Sequence, residues 1–388
     1  MLGGEEGAAV AKSMELLLAL GEVLGAERLI PVESAHISGV SYKNLSDAGL
    51  EFLEEQADLG ACARIRATLN PAGMDLDKWR EMGVPEAFAD KQLSVIGAFE
   101  RMGVEPTCTC TPYLVGHTPQ YGSQVAWAES SAVAYSNSVL GARTNRESGP
   151  TTLASAVTGR AALYGYRLEE KRLPGTIIEV DTDLNTKLDY SALGYLTGKL
   201  LGSTVPYFRG IKGADMESLK ALGAAAATSG GIALYHIAGV TPEAQQISHE
   251  MLKGLERITV EEADLAEVAP QLSSDVADPV VCLGCPHCSL KEIREVAGLL
   301  QGKKLKRRLW VFTSRGVFDE AIRSGHVATI ESVGGKVFRD TCMVVAPLRE
   351  MGWRDVATNS CKAAHYASSM GFGVRLGTVP ELVEEASL

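Results

Sequence analysis

The chain has 388 residues, of which 46% are hydrophobic and 22% are charged, and its formal net charge is −11. This composition is typical of a folded globular protein, and the length predicts two or three domains or subdomains. The acidic balance excludes a nucleic-acid partner, which would need a basic face. No apolar run approaches about 20 residues and no signal peptide is present, so we expect no membrane span and a cytoplasmic location.

Short strands alternate with helices through the first 165 residues. The loops over 34–42 and 70–73 each follow a strand, a position that suits either a ligand-binding loop or a plain turn. In an extended segment over 106–113, Cys108 and Cys110 would share one face. In chain order, the patterns predict a helix over 4–25, a strand over 29–32, a helix over 47–56, a strand over 63–69, a helix over 85–102, a buried helix over 122–140, a polar loop over 141–150 and a helix over 150–165 with Gly159 inside it.

The middle of the chain continues this alternation and ends at a polar break over 273–279. A Gly-rich turn at 228–231 resembles an anion-binding turn but lacks the lysine and hydroxyl residue of a phosphate-binding loop. The patterns predict strands over 175–180, 205–208 and 232–237, and helices over 190–201, 218–227, 241–255 and 260–272. We therefore expect an N-terminal α/β region over 1–274, with two packed subdomains, and a βαβ subdomain over 275–388.

A βαβαβ pattern organises the last of these regions. An apolar strand over 280–283 is stopped by Gly284 and Pro286, and Ser289 and Glu292 have the spacing of a capping box. A helix over 290–300, a strand over 309–312, a helix over 317–333 and a strand over 336–338 complete the pattern. This alternation predicts a parallel sheet with right-handed crossovers.

Cysteines follow two of these strands, at the sheet edge where open α/β folds bind ligands. Cys285 and Cys288 follow the first strand, and Cys342 lies near the end of the third. Convergent thiols in a reducing compartment favour a metal centre over a disulfide. Three centres are compatible with the pattern: an iron–sulfur cluster, a redox-active Cys-x-x-Cys pair, and a zinc site of Cys285, His287, Cys288 and Cys342. Cys282 lies inside the apolar strand and is interpreted as a core residue.

A cluster held by only three thiolates leaves one iron without a protein ligand. That iron acts as a Lewis acid on a substrate hydroxyl group while a base removes the neighbouring proton, which is dehydratase chemistry. Glu129 and Lys362 are charged residues among small or apolar neighbours, so each is either part of a site or solvated. The cations at or near the polar loops that could neutralise a phosphate are Arg64, Arg66, Arg143, Arg146 and Lys362.

Short motifs are spread over nearly the whole chain. Each motif alone is weakly specific for a family, but their combination is highly specific. They are His-Ile-Ser-Gly-Val-Ser-Tyr at 36–42, Thr-Leu-Asn-Pro-Ala-Gly at 68–73, Cys-Thr-Cys-Thr-Pro-Tyr at 108–113, Glu-Ser-Ser-Ala-Val at 129–133, Ala-Arg-Thr-Asn-Arg-Glu at 142–147, Thr-Ser-Gly-Gly at 228–231, Cys-Pro-His-Cys-Ser at 285–289, Asp-Thr-Cys at 340–342 and Thr-Asn-Ser-Cys-Lys at 358–362. In these motifs the chain closely resembles the large, catalytic subunit of the aconitase X family.

The resemblance implies an aconitase-like α/β fold in which several parallel-sheet subdomains surround a cluster-binding crevice. It also implies a 4Fe-4S cluster with one open iron and three protein ligands, which by motif position are Cys110, Cys285 and Cys342. The implied substrate contacts are Gly39, Val40, Ser41, Asn70, Pro71, Glu129, Ser130 and Lys362.

The activity implied by the resemblance is that of an iron–sulfur hydro-lyase acting on a small anionic metabolite. Family members include archaeal phosphomevalonate dehydratases, and we expect their reaction, from (R)-5-phosphomevalonate to trans-anhydromevalonate 5-phosphate in isoprenoid biosynthesis. The alternatives are a cis-3-hydroxy-L-proline dehydratase and, in a different class, a zinc-stabilised binding protein. Family enzymes need a small swivelling domain, for which the chain after Lys362 has no room. A separate small subunit carrying the proton-accepting serine is therefore expected, with Glu129 as a helper.

Overall fold

The computed structural model describes residues 1–387, in which three parallel sheets are packed with helices. Its first region has helices α1 (Ala8–Val23), α2 (Tyr42–Asp58), α3 (Trp79–Met82), α4 (Glu86–Arg101), α5 (Ser130–Tyr135) and α6 (Gly149–Thr158), and strands β1 (Leu29–Pro31), β2 (Ser34–Ile37), β3 (Arg66–Leu69), β4 (Ala126–Trp127) and β5 (Arg160–Ala162). The three-stranded parallel sheet has the order β3-β2-β4, and β1 pairs with β5 in an antiparallel ribbon.

The second region contains a four-stranded parallel sheet with the order β8-β7-β6-β9. Its elements are β6 (Thr176–Val180), α7 (Lys187–Leu201), β7 (Pro206–Arg209), α8 (Met216–Ser229), β8 (His236–Ile237), β9 (Glu256–Val260), α9 (Glu262–Ala266) and α10 (Val268–Leu272). Helices α7 and α8 approach closely because Gly194 has no side chain: a Cβ atom there would lie 2.2 Å from the carbonyl oxygen of Leu222.

The third region is a five-stranded parallel sheet with the order β12-β11-β10-β13-β14. Its elements are β10 (Val280–Cys288), α11 (Leu290–Leu300), β11 (Leu309–Thr313), α12 (Arg315–Arg323), α13 (His326–Ser332), β12 (Lys336–Arg339), β13 (Asp355–Thr358), α14 (Cys361–Ser369), β14 (Gly373–Leu376) and α15 (Val379–Ser387). Every residue of β10 and β11 is buried, as expected for central parallel strands covered by helices on both faces. The predicted βαβαβ order and the capping box of Ser289 and Glu292 are confirmed.

Glycine geometry corrects three of the predicted boundaries. Gly159 is not inside a helix: it ends α6 with a φ of 68°, and the chain then enters β5. Gly325, with a φ of 74°, divides the predicted helix 317–333 into α12 and α13. Gly284 and Pro286 do not stop the strand at 283, because β10 continues to Cys288 after a shift in register against β11. Gly284 has a φ of 110° there, and a Cβ atom would lie 2.2 Å from the carbonyl oxygen of Phe312.

Tertiary contacts override the sequence pattern in three further places. Residues 34–37 of the predicted polar loop form β2, the central strand of the first sheet, where Nδ1 of the buried His36 lies 2.8 Å from Thr68 Oγ1. The predicted helix 122–140 begins only at Ser130, after the extended residue Glu129, and ends in a π-helical turn over 136–140. The predicted helix 241–255 is wrong: residues 242–246 and 250–252 form 3₁₀ turns, and the chain then enters β9, an edge strand that pairs with β6.

The apolar cores lie between the sheets and their covering helices, and the loops at the carboxyl ends of the strands meet where the first and third regions touch. The amide of Ala72, in the loop after β3, donates a hydrogen bond to the carbonyl oxygen of Asp340 at 2.8 Å. This contact joins the Asn70-Pro71 turn to the segment after β12 that leads to Cys342. Within residues 1–387, no helix is both long enough and apolar enough to span a membrane.

Candidate active site

Three cysteines from different parts of the chain line one cavity of about 430 Å³. Cys110 follows an extended segment that bonds to β3, Cys285 lies in the distorted second half of β10, and Cys342 follows β12. Each is at least nine-tenths buried, and all are free thiols. The carboxyl ends of strands from two sheets thus bring these sulfur atoms to a common crevice.

His287 connects the three segments that carry these cysteines. It is fully buried, its backbone amide donates to Cys110 Sγ at 3.2 Å, and its ring Nε2 donates to the carbonyl oxygen of Thr341 at 2.8 Å. A carbonyl oxygen can only accept, so the neutral ring carries its proton on Nε2, and Nδ1 accepts from Thr109 Oγ1 at 3.0 Å. Burial lowers the pKa of His287 to about 4, which keeps the ring neutral. His287 therefore fixes the relative positions of residues 109, 287 and 341.

The three thiols have different electrostatic environments. A hydrogen bond from Cys285, together with the backbone amides of Val344 and Val345, lowers the pKa of Cys342 to about 7. Burial, with the nearby Glu129 carboxylate, raises the pKa of Cys110 to about 12. Hydrogen-bond donors directed at sulfur stabilise thiolates, which are the form that binds metals. The Cys342 segment therefore favours a thiolate before any metal binds.

Glu129 and Lys362 form an ion pair on the wall of the same cavity. Lys362 Nζ lies 2.6 Å from Glu129 Oε1 and also donates to Ser131 Oγ, and both charged residues are only 7% exposed. Glu129 caps α5, because its Oε2 accepts from the Ala132 amide at 2.6 Å. Burial disfavours the carboxylate, but Lys362 and the α5 amide outweigh it and the pKa of Glu129 is lowered. Burial likewise opposes the ammonium charge, yet Glu129 raises the pKa of Lys362. Neither residue is solvated.

Most of the other expected contact residues line this cavity, but two do not. Gly39, Asn70, Pro71 and Ser130 lie on its wall. The side chains of Val40 and Ser41 do not line it: Val40 is buried in the core, and Ser41 Oγ donates to the carbonyl oxygen of Val345 at 2.8 Å. Arg146, one of the cations considered for a phosphate, also lies on the wall. The wall residues that the sequence did not single out are Ser38, Lys43, Asn44, Ala128, Val344, Val345, Tyr366 and Met370. Most of them are neighbours of motif residues, and that adjacency is the only signal the sequence offers for them.

Four of the five cations considered for a phosphate are already paired with carboxylates. Arg64 pairs with Glu6, Arg66 with Glu105, Arg143 with Glu169 and Lys362 with Glu129. Of the five, only Arg146 lines the cavity without a carboxylate partner among residues 1–387.

Matches to known proteins cover nearly the whole chain. Family models described as the aconitase X first, second and third domains match residues 1–170, 174–270 and 279–387. This chain belongs to the aconitase X family. The crystal structure of Thermococcus kodakaraensis aconitase X in its holo-form matches it with a TM-score of 0.93 and 46% identity, covering 99% of this chain and 97% of that one. The aconitase-like α/β fold is thereby confirmed.

Curated relatives in the aconitase X family fall into two groups. The phosphomevalonate dehydratase large subunit of Methanothermobacter thermautotrophicus is 50% identical, covering 95% of this chain and 92% of that protein. The protein of the same name from Methanocaldococcus jannaschii is 47% identical, covering 99% of this chain and 97% of its own length. The cis-3-hydroxy-L-proline dehydratase of Pseudomonas aeruginosa is 38% identical, and this chain covers 68% of it. Relatives named as large subunits imply a small-subunit partner.

The residues of this aconitase X chain fit an iron–sulfur centre better than a single zinc ion. Two sulfurs bound to one zinc ion at about 2.3 Å lie about 3.8 Å apart. Among residues 1–387, the three cavity thiols do not come within 4.8 Å of one another as a group. Both ring nitrogens of His287 are occupied by protein groups, so His287 is not a free zinc ligand. Three buried thiols that do not all fit around one ion suit a cluster, whose several metal atoms span a larger volume.

The remaining buried cysteines are not on the cavity wall. Cys108, with a φ of 43°, packs in the core of the first region and does not share a face of a strand with Cys110. Cys282 packs in the core of the third sheet, as the sequence indicated. Cys288 packs against α11 and β11, and burial raises its pKa strongly. A thiol with a raised pKa is a poor nucleophile, so the raised pKa values of Cys285 and Cys288 disfavour a redox-active Cys-x-x-Cys pair.

Proposed function

We propose that this chain is the large subunit of an iron–sulfur dehydratase that converts (R)-5-phosphomevalonate to trans-anhydromevalonate 5-phosphate. One observation carries the proposal. Three buried cysteines share a cavity with the Glu129–Lys362 pair, in a chain 43–50% identical to four archaeal phosphomevalonate dehydratase large subunits. The hydroxyproline dehydratases are second candidates, since the two relatives of that name are 38% and 34% identical.

In this proposal Cys110, Cys285 and Cys342 hold a 4Fe-4S cluster with one iron open. When bound, the cluster supplies a Lewis-acidic iron for the departure of a substrate hydroxyl group. The donors around the sulfurs support this assignment, because the His287 amide bonds to Cys110 and the amides after Cys342 lower its pKa. The cluster would then join the 1–274 region to the 275–388 subdomain.

The charged pair positions the substrate beside the cysteines of the cavity. Lys362 binds the substrate carboxylate or holds the Glu129 carboxylate in place, and Glu129 binds the reacting hydroxyl group. Asn70, Pro71, Ser130 and Gly39 line the wall and contact the bound molecule. We assign any contact from Val40 and Ser41 to their backbone, because their side chains do not line the cavity. The net reaction removes the hydroxyl group and one proton from adjacent carbons as water.

The proton acceptor belongs, in this proposal, to a separate small subunit with a swivelling domain. The cavity wall of this chain offers Glu129 as its only carboxylate among residues 1–387, and that carboxylate is held by Lys362 and capped onto α5. An ionised carboxylate with a lowered pKa is a weak base, which favours a helper role over proton abstraction. The relatives' description as large subunits supports a second polypeptide.

The test is anaerobic co-purification of this chain with a small aconitase X subunit, followed by iron, sulfide and zinc analysis and by assays on both substrates. We expect iron and sulfide in near-equal amounts, and water loss from (R)-5-phosphomevalonate. Turnover of cis-3-hydroxy-L-proline alone would support the second candidate. Zinc without iron or sulfide, and no turnover of either compound, would instead indicate a zinc-stabilised binding protein.

A further inference from the structure

The cavity wall carries three cations, and only one of them is neutralised. Lys362 is held by Glu129, but neither Lys43 nor Arg146 forms an ion pair with any residue over 1–387. The protein as a whole is strongly acidic, with a net charge of −11, so carboxylates are plentiful elsewhere. Two cations left without anions on one cavity wall point to an anionic ligand.

Lys43 lies in the first turn of α2 and its ammonium group has only uncharged neighbours as hydrogen-bond acceptors. Nζ lies 3.2 Å from the carbonyl oxygen of Val344, 3.1 Å from that of Ala346 and 3.2 Å from the thioether sulfur of Met370. A thioether is a weak acceptor, so one N–H can be transferred to a stronger, charged acceptor. The two carbonyl bonds would meanwhile keep the ammonium group beside the segment that follows Cys342.

Arg146 is the exposed member of an otherwise buried run of residues. Thr144, Asn145 and Glu147 around it are buried, and Asn145 is fixed by bonds to the carbonyl oxygen of Tyr164 at 3.0 Å and the amide of Tyr166 at 2.8 Å. The backbone that carries Arg146 is therefore rigid. The guanidinium group lies over Gly231, where a Cβ atom would come within 2.9 Å of Nη1. The Gly-rich turn at 228–231 thus makes room for this side chain.

We propose that Lys43 and Arg146 bind the phosphate group of the substrate, an inference that rests on the proposed function. A phosphate carries about two negative charges at pH 7 and three acceptor oxygens, which matches one ammonium and one guanidinium group. The Lys362 ammonium is already committed to Glu129 at 2.6 Å, so we assign it with Glu129 to the reacting hydroxyl group and not to the phosphate. The phosphate and the reacting group then have separate ligands on the wall of one cavity.

The test uses the holo-complex of this chain with its small subunit and the variants Lys43→Met and Arg146→Met. Three constants are measured: KM for (R)-5-phosphomevalonate, and the inhibition constants of inorganic phosphate and of unphosphorylated mevalonate. Loss of one charge-assisted hydrogen bond should raise the first two constants roughly 10- to 100-fold. The constant for mevalonate, which has no phosphate, should change less than about threefold. Arg66→Met removes a cation paired with Glu105 away from the cavity and should change none of them.

The possible outcomes separate this inference from the proposed function. A wild-type complex that never dehydrates phosphomevalonate refutes the proposed function, and with it the basis for phosphate binding by Lys43 and Arg146. An active wild type whose variants weaken mevalonate and phosphomevalonate equally shows a structural or carboxylate-binding role and overturns the inference alone. Normal constants combined with weaker association of the small subunit would assign the two cations to that interface instead, which also overturns the inference.

Discussion

A double-mutant cycle can separate the structural role of the buried Glu129–Lys362 pair from its functional role. The variants are Lys362→Met, Glu129→Gln and the double variant, each prepared as the holo-complex. Either single change leaves one buried charge without its partner, whereas the double change removes both charges. Because the two groups lie 2.6 Å apart and both are 7% exposed, their contributions should be strongly coupled.

The structure sets the size of the expected effects. Removing one member of a buried pair costs about 3–5 kcal/mol, and we expect the lower end for Lys362→Met. Glu129 would keep its bonds to the Ala132 amide and to Ser131 Oγ, which partly compensate its charge. The double variant should lose about 3 kcal/mol rather than the sum of two such losses, since coupling energies reach about 3 kcal/mol. By contrast, kcat/KM should fall roughly a hundredfold or more in all three variants, because each loses a charged contact with the substrate.

Urea denaturation measures the stability changes, steady-state assays measure kcat/KM, and iron analysis confirms that each variant retains its metal. Because the pKa of Glu129 is lowered on folding, the stability contributed by its ionised form is fully present above the unfolded-state value near 4.5. It is lost only as the pH falls through the lower folded-state value, so measurements at pH 7 see the whole effect. Recovery of kcat/KM together with stability in the double variant would refute a substrate-binding role for the pair.

Further predictions follow from the cysteine ligands and the backbone around them. Replacing Cys110, Cys285 or Cys342 by serine should each abolish bound iron and activity, whereas Cys282→Ser should keep both; normal iron in any of the first three removes that residue from the ligand set. The purified large chain without a partner should show no turnover, and substantial turnover would contradict the need for a small subunit. Gly284→Ala should lower the yield of folded protein, measured by circular dichroism, because its Cβ atom would meet the Phe312 carbonyl oxygen at 2.2 Å.

The sequence predicts the third sheet better than the rest of the fold. The runs over 280–283 in β10 and 309–312 in β11 are continuous and apolar, and the first helix has a full capping box, so local patterns and tertiary structure agree there. The strands β13 and β14 of the same sheet were not predicted. The failures are places where a strand is stabilised by its neighbours rather than by its own residues. The central strand β2 contains Ser34 and His36, whose burial depends on contacts such as the bond to Thr68 on β3. The edge strand β9 begins with the exposed residues Glu256 and Arg257, which carry no strand signal of their own.

The candidate site, like the fold, has features that the sequence predicts and features that it does not. Topology alone predicts that cysteines at the ends of β10 and β12 approach one another, but Cys110 comes from a different sheet and was assigned only through the family resemblance. An ion pair within the protein also changes whether a charged residue can bind a ligand. Such ion pairs cannot be read from one sequence. Lys362 appears equivalent to Arg146 as a phosphate ligand until the structure shows that Glu129 holds it.

The charges on the cavity wall bear on the choice of substrate. Glu129 and Lys362 neutralise each other, so their ion pair adds no net charge beside the thiols that would carry a cluster. Lys43 and Arg146 have no anionic partner among residues 1–387, so the wall carries two uncompensated positive charges. A phosphate group offers about two negative charges at pH 7, whereas the carboxylate of hydroxyproline offers only one. This arrangement favours phosphomevalonate over hydroxyproline.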